Sequence, residues 1–334
     1  MNILLTSAGR RGYMVDYFRK ALDGEGMVHA SNSEMAPAML HADKYVITPL
    51  IYDSTYIEFL SNYVERNGIN AIIPLFDIDL PVLAAAKKQF HERGVEIVVS
   101  DYEVACICND KWRTHCFFKE HGFNCPATFI SMDASLQAIE NNQLQFPVIV
   151  KPRWGMGSIG IATADNRMEL ELFHKKVQAV VSSSYLKYES AGTSDQSVII
   201  QQKLSGCEYG LDVVNDLAAN YVVTLVKRKL AMRNGETDSA VTENSPLMRR
   251  IGSELSSVLR HIGNLDVDCF LVDHEVYLLE MNCRFGGGYP FSHLAGANVP
   301  RAIIKWLRGQ VADKTLFEIR YGVKGIKDIT PIVV

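Results

Sequence analysis

Between Leu265 and Gly288 the chain reads LDVDCFLVDHEVYLLEMNCRFGGG, and four of its side chains could do chemistry together: Asp268, Glu280, Asn282 and Arg284. Two apolar runs, 267–272 and 275–281, flank a polar Asp273-His274 pair, which is the pattern of a β-hairpin. Paired strands put Asp268 on the first, and period-two alternation puts Glu280 and Asn282 on one face of the second. Two carboxylates and an amide carbonyl form a hard, all-oxygen set that suits Mg²⁺ or Mn²⁺ rather than zinc. Arg284, two residues beyond Asn282, would point a guanidinium at phosphates carried by that cation. An edge hairpin with solvated acids has the same composition, so the rest of the chain decides between the two.

Lys151 lies in an apolar run, FPVIVKP, where a lone lysine needs a reason. A glycine-rich turn follows, with Gly155, Gly157, Ser158 and Gly160, and then the strand-like IATA. GMGSIG satisfies G-x-G-x-x-G, but a dinucleotide loop must open a helix, and no Gly-Lys-Ser/Thr makes it a Walker loop. What remains is a hairpin whose backbone N–H groups can close over phosphates. The run VIIQQKL at 198–204 leads to SGCE, suiting a connection whose backbone reads an adenine edge while Glu208 takes ribose hydroxyls. In YVVTLVKRKLAM, Lys227 and Lys229 share one strand face and Arg228 takes the other; which face meets a triphosphate stays open. Arg233 then enters a stretch up to residue 246 that reads as a polar loop.

The elements that must hold these residues alternate. A strand at 1–7 meets the small, basic turn AGRRG and a helix at 13–22, so Arg10 and Arg11 beside a helix N-terminus make an anion site plausible. Strands at 28–31, 44–47, 71–74 and 96–99 and helices at 54–67 and 80–93 follow, implying a mostly parallel, helix-covered sheet. Asp77 and Asp79 fall just past a strand's carboxyl end, where such sheets bind ligands, and Asp79 reads as a helix cap. A boundary is expected near Asn109, with a helix from 110 to 121; later helices are expected at 168–181 and 246–260, and near the C-terminus.

Bulk composition narrows the partners. Hydrophobic residues make up 48% and charged residues 22% of 334, and a net charge of -4 offers nothing to nucleic acid or an anionic membrane. No apolar run is long enough to cross a bilayer and no signal segment opens the chain, so a cytoplasmic location is expected. Seven cysteines without paired knuckles point to free thiols rather than a zinc site.

Asp110-Lys111, FPVIVKP, the glycine loop, QQKLSGCE and Asp268 with EMNCR stand in the order and approximate spacing of the ATP-grasp superfamily. The chain resembles a stand-alone synthetase half of the carbamoyl-phosphate synthase large subunit over nearly its whole length. The resemblance implies an α/β protein with a Rossmann-like pre-ATP-grasp domain (1–108) and a two-subdomain ATP-grasp fold (109–334), its lid spanning about 125–203. It also implies that Lys111 and Lys151 hold ATP, that Gln201, Gln202, Lys203 and Leu204 form the adenine hinge, and that Glu208 binds ribose. Asp268, Glu280 and Asn282 would ligate Mg²⁺ (or Mn²⁺), and Arg284, with Arg233, would stabilise the transferring phosphoryl group. Gln201 and Gln202 stand where acids are frequent and Cys283 where proline is common, which leaves ATP binding intact and substrate choice open.

The activity this implies is ADP-forming ligation of a small-molecule carboxylate to an amine or ammonia through an acyl phosphate, with a homodimer as the default assembly. Two other readings stay open: a nucleotide-binding regulatory protein of the same fold without ligase activity, and a nicotinamide-dependent oxidoreductase built on the first sheet. The second is disfavoured by the absent dinucleotide fingerprint.

Overall fold

The computed structural model describes residues 1–333. The first third alternates β1 (Asn2–Thr6), α1 (Gly12–Leu22), β2 (Val28–Asn32), β3 (Lys44–Ile47), α2 (Tyr56–Asn67), β4 (Ile69–Pro74), α3 (Asp79–His91) and β5 (Glu96–Ile97). These strands form one parallel sheet in the order β3-β2-β1-β4-β5. Ile3, Leu4, Leu5, Ile72 and Ile73 are buried because helices cover both faces, which is why the strands read as continuous apolar runs.

An unexpected helix, α4 (Tyr102–Asn109), precedes the one expected at 110–121, which is α5 (Lys111–Glu120). Asp110 ends the first and caps the second, accepting from the Trp112 and Arg113 amides at 2.9 and 3.3 Å. After β6 (Thr128–Phe129) and α6 (Met132–Glu140) come β7 (Val148–Pro152), β8 (Ala162–Ala164), α7 (Arg167–Ser183), α8 (Leu186–Glu189) and β9 (Val198–Gln202). Their four strands form an antiparallel sheet, β6-β9-β7-β8, with a core of its own that includes Val148, Val150, Leu170, Val177 and Ile200.

The remaining chain builds a six-stranded antiparallel sheet from β10 (Cys207–Asn215), β11 (Tyr221–Arg233), β12 (Glu236–Thr242), β13 (Gly263–Val272), β14 (Glu275–Asn282) and β15 (Lys324–Ile326), in the order β14-β13-β10-β11-β12-β15. Helices α9 (Pro246–Leu259), α10 (Tyr289–Ala295) and α11 (Val299–Leu307) complete it. The expected loop at 234–246 is therefore mostly strand β12: burial rather than polarity varies along ETDSAVT, with Thr237, Ser239, Ala240 and Thr242 buried. One core runs from Leu4 and Ile72 of the parallel sheet through Phe117 and Phe118 to Leu211, Val267 and Met281 of this sheet. The two sheets are thus fused rather than tethered.

Asp79 does not cap α3. It is fully buried and accepts from Thr6 Oγ1 at 2.5 Å, Ser7 Oγ at 3.1 Å and Tyr56 Oη at 2.8 Å, tying β1 to α2 and α3. The seven cysteines are all free, with Cys108, Cys269 and Cys283 buried and Cys116 and Cys207 exposed. Among the described residues no helix is long and apolar enough to cross a membrane.

Candidate functional site

Alternation divides the six-stranded sheet into an apolar face and a polar one. Tyr209, Leu211 and Val213 of β10 and Leu265, Val267 and Cys269 of β13 enter the core. Their neighbours Glu208, Asp212, Asp266 and Asp268 face the other way, together with Glu280, Asn282, Lys227 and Lys229.

The β13–β14 hairpin turns at Asp273 and His274, whose φ angles of 47° and 68° fit a two-residue turn with both residues left-handed. A regular ladder from that turn would place Leu279 opposite Asp268. The register instead shifts between Asp268 and Cys269, so that Asp268 pairs with Glu280 and Asp266 with Asn282. Leu279 becomes the extra residue of a bulge, and the two carboxylates and the amide come onto one face directly opposite each other.

Charge compensation there is supplied by lysines. Lys229 Nζ lies 2.7 Å from Asp268 Oδ1 and 2.7 Å from Glu208 Oε1. It passes over Gly210, where a Cβ would lie in ordinary contact with Cε of Lys227 and Lys229 at 3.4 and 3.6 Å. Lys111 Nζ donates to the Gly155 carbonyl and lies 3.9 Å from Glu280. Lys151 is 4% exposed and, among the described residues, makes no hydrogen bond or ion pair. Burial pushes its ammonium down to about 8, with Glu280 opposing and Lys111 assisting. A buried lysine left without a partner is poised for an anion that is not part of the chain.

Burial raises Asp268 to about 7; Lys229 opposes this, while Asp266 and Glu280 add to it. Glu280, despite its burial, is held below the usual carboxylate range by Lys111, Lys151 and Lys229. No cluster of three or more His, Cys, Asp or Glu side chains among the described residues is arranged to hold a metal. Two opposed carboxylates and the Asn282 amide, which has no side-chain partner among the described residues, are an all-oxygen set that suits a hard cation. The donor set therefore fits Mg²⁺.

The glycine turn lies between β7 and β8, which pair as an antiparallel hairpin. Gly155, Gly157, Ser158 and Gly160 all have positive φ, from 59° to 108°. At the tip of the β11–β12 hairpin, a Cβ on Gly235 would stand 2.4 Å from the Gly157 carbonyl carbon, so the two turns touch backbone to backbone. Arg233 beside that tip is exposed and paired with Asp238 at 2.9 Å.

The other expected residues are placed as follows. Gln201 is buried and donates to Thr128 Oγ1 at 2.8 Å, Gln202 accepts from the Ala127 amide at 3.1 Å, and Lys203 and Leu204 follow the end of β9. Arg284 does not continue along the strand. Its guanidinium is buried, with Nη1 on Asp266 Oδ2 at 2.9 Å and Nη2 on Asp77 Oδ2 at 2.9 Å, clamping the parallel sheet to the antiparallel one. Although burial opposes it, Asp77 and Asp266 raise its pKa.

Sequence reasoning missed Asp266, although LDVDCF carries it two residues before Asp268 and hence on the same face. It also left Lys229 undecided. A second ion pair, Lys227 with Asp212 at 2.5 Å, is fully buried and satisfied by Ser292 Oγ, also at 2.5 Å from Asp212.

The family description "ATP-grasp domain" matches residues 108–288, and "PylC-like, N-terminal domain" matches residues 3–98. Carbamoyl phosphate synthase large chain of Thermotoga petrophila is 25% identical over 294 residues, covering 84% of this chain and 25% of that protein. The Haemophilus ducreyi large chain is 26% identical over 331 residues, covering 92% and 29%. The chain thus spans about a quarter of the length of these relatives.

Among solved structures, the biotin carboxylase domain of Hydrogenobacter thermophilus 2-oxoglutarate carboxylase, in complex with MgADP, ADP and bicarbonate, superposes with a TM-score of 0.75 at 16% identity. It covers 97% of this chain and 73% of that one. L-amino acid ligase from Bacillus licheniformis gives 0.70 at 18% identity, covering 91% and 74%. At such identities the likeness establishes the fold.

Proposed function

Starting from a chain that belongs to the ATP-grasp family, we propose an ATP-dependent, ADP-forming ligase that joins a small-molecule carboxylic acid to an amine or ammonia. The observation that carries this reading is the convergence of Asp268, Glu280 and Asn282 with the unpartnered Lys151, beneath a glycine turn that Lys111 holds by its carbonyl.

A carboxylate is a poor electrophile because its leaving group is oxide. Transfer of the γ-phosphoryl group of ATP to it makes an acyl phosphate, which an amine attacks with release of phosphate. Lys151 and Lys111 would bind phosphate oxygens, and the glycine turn would supply backbone N–H donors above them. Held by Asp268, Glu280 and Asn282, a magnesium ion would offset charge on the nucleotide's phosphates. Glu208 would bind ribose, the 201–204 segment would border the base, and Arg284, with Arg233 at the lip, would face the phosphoryl group. The sheet β6-β9-β7-β8 would close as a lid and keep water from the acyl phosphate.

The clamping of Arg284 by two carboxylates is the one feature that favours a nucleotide binder without chemistry, since a guanidinium so held has little charge left for a substrate. A screen of acid and amine pairs for ADP release separates the two. Substrate-stimulated ADP release that disappears in Glu280→Ala, with the circular dichroism spectrum unchanged, supports the ligase. Tight ATP binding with no stimulated release from any pair overturns it.

A further inference from the structure

We propose that the chain holds a subsite for a second carboxylate on its acid substrate, where the β1–α1 turn, the Gly286–Gly288 loop and the strand β15 exit meet. This deepens the ligase reading and rests on it. The class of acid it names is a small dicarboxylate.

Cations outnumber acids at this junction. Arg11 Nη1 donates to the Leu75 carbonyl and, at 3.1 Å, to the Phe285 carbonyl; no carboxylate pairs with it among the described residues. Arg10 is exposed and has neither hydrogen bond nor ion pair among those residues. Lys327 lies 3.3 Å from Glu236, the one acid paired here, and both flank Gly287, where a Cβ would lie 3.5 Å from Lys327 Nζ and 3.6 Å from Glu236. Of the other acids close by, Asp238 is paired with Arg233 and Asp266 with Arg284, which leaves Glu236 to offset Arg10, Arg11 and Lys327 and leaves room for an anionic ligand.

Two further observations point to a ligand. Tyr13 Oη is buried and has no hydrogen-bond partner among the described residues, and an orphaned hydroxyl costs stability unless something else accepts its proton. Beyond the effect of burial, the charges of Arg11, Glu236, Arg284 and Asp266 act on it, so it lies among the groups of this junction. Helix α1 also starts without a side-chain cap, because Arg11 occupies the cap position, so its first N–H groups and dipole favour an anion at the same place.

The loop brings this subsite next to the reacting end. A Cβ on Gly286 would fall 2.0 Å from the Asp266 carboxylate, and the next residue, Gly287, is the one beside Lys327 and Glu236. One residue step, about 3.8 Å, thus leads from Asp266, which lies opposite Asn282 in the hairpin, to Lys327 and Glu236, a span suited to a short diacid. Gly286 and Gly288 have no space for a side chain, since a Cβ would meet the Asp266 carboxylate at 2.0 Å and Lys227 Cε at 2.7 Å, whereas Gly287 has room for one.

The test is calorimetric titration of glutarate, succinate and the monoacid pentanoate into the full chain, wild type and the variants Arg10→Ala and Tyr13→Phe. Arg10→Ala removes no hydrogen bond or ion pair among the described residues, and Tyr13→Phe keeps the ring that packs against Tyr17, so both variants should fold. Expected is diacid binding to wild type, at least ten-fold weaker in both variants, with pentanoate weak throughout and binding of a non-hydrolysable ATP analogue unchanged. Equal binding of glutarate and pentanoate, no detectable binding of either diacid, or wild-type diacid affinity in Arg10→Ala overturns the subsite. ADP release with monoacids alone sinks the subsite and leaves the ligase reading standing. Arg10-dependent diacid binding with no ADP release from any pair sinks the ligase reading instead.

Discussion

Replacing Asp77 by alanine tests the clamp that joins the parallel sheet to the candidate site. The Arg284 side chain is 6% exposed and that of Asp77 5%; one hydrogen bond joins them, Nη2 to Oδ2 at 2.9 Å, and Nε approaches Oδ1 at 2.9 Å as an ion pair without hydrogen-bond alignment. Removing one partner of a buried pair costs about 3–5 kcal/mol, because the other charge stays buried without compensation. Asp266 still holds Arg284 at 2.9 Å, so the lower figure, about 3 kcal/mol, applies. That is roughly a 150-fold drop in the folded-to-unfolded ratio. Urea unfolding followed by circular dichroism should show a midpoint lower by about 1 M if the slope is about 3 kcal/mol per M. Asp77→Asn, which keeps an acceptor oxygen and the volume, should lose about half as much. A shift in Asp77→Ala equivalent to less than about 0.5 kcal/mol, the scale of an ordinary surface substitution, would refute the clamp.

Two further outcomes follow from neighbouring groups. Lys229→Met leaves Asp268 and Glu208 without their shared cation, so magnesium should raise the unfolding midpoint of the variant more than that of wild type; the gain reaches about 2.7 kcal/mol at a hundred times the dissociation constant. Equal magnesium responses in the two proteins would mean that Lys229 does not compete for those oxygens. Burial holds the fully buried His261, whose Nε2 lies 3.0 Å from the Val213 carbonyl, down at about 4, so the folded protein stays unprotonated there while the unfolded chain takes a proton below about 6.5. Stability should therefore fall as pH drops from about 6.5 toward 4, with His261 contributing about 2 kcal/mol by pH 5. An unchanged pH profile in His261→Gln would show that another group is responsible.

Much of this architecture could be read along the chain because alternation is a local property. The βα units, the hairpin around Asp273 and His274, and the shared face of Lys227 and Lys229 all follow from the spacing of apolar and polar residues. The polar stretch after Arg233 was harder: β12 lies inside the sheet, and its Thr and Ser residues are buried by neighbours that sequence spacing does not display. The same holds for Asp79, which has the sequence position of a cap but is claimed by the hydroxyls of Thr6, Ser7 and Tyr56 from other elements.

By itself, then, the sequence determined which residues are polar on which strand face and where oxygen-bearing side chains cluster, since both depend only on period-two geometry. It did not determine that Asp268 faces Glu280. A two-residue turn propagated regularly would have set Asp268 against Leu279 and Glu280 against Val267, and only the bulge at Leu279 brings the acids together. Nor could spacing show that Lys229 reaches Asp268 across Gly210, or that Arg284 turns back to Asp77, 207 positions away. Those choices are made by register and by the packing of one sheet against another, which bring together charges far apart in the chain.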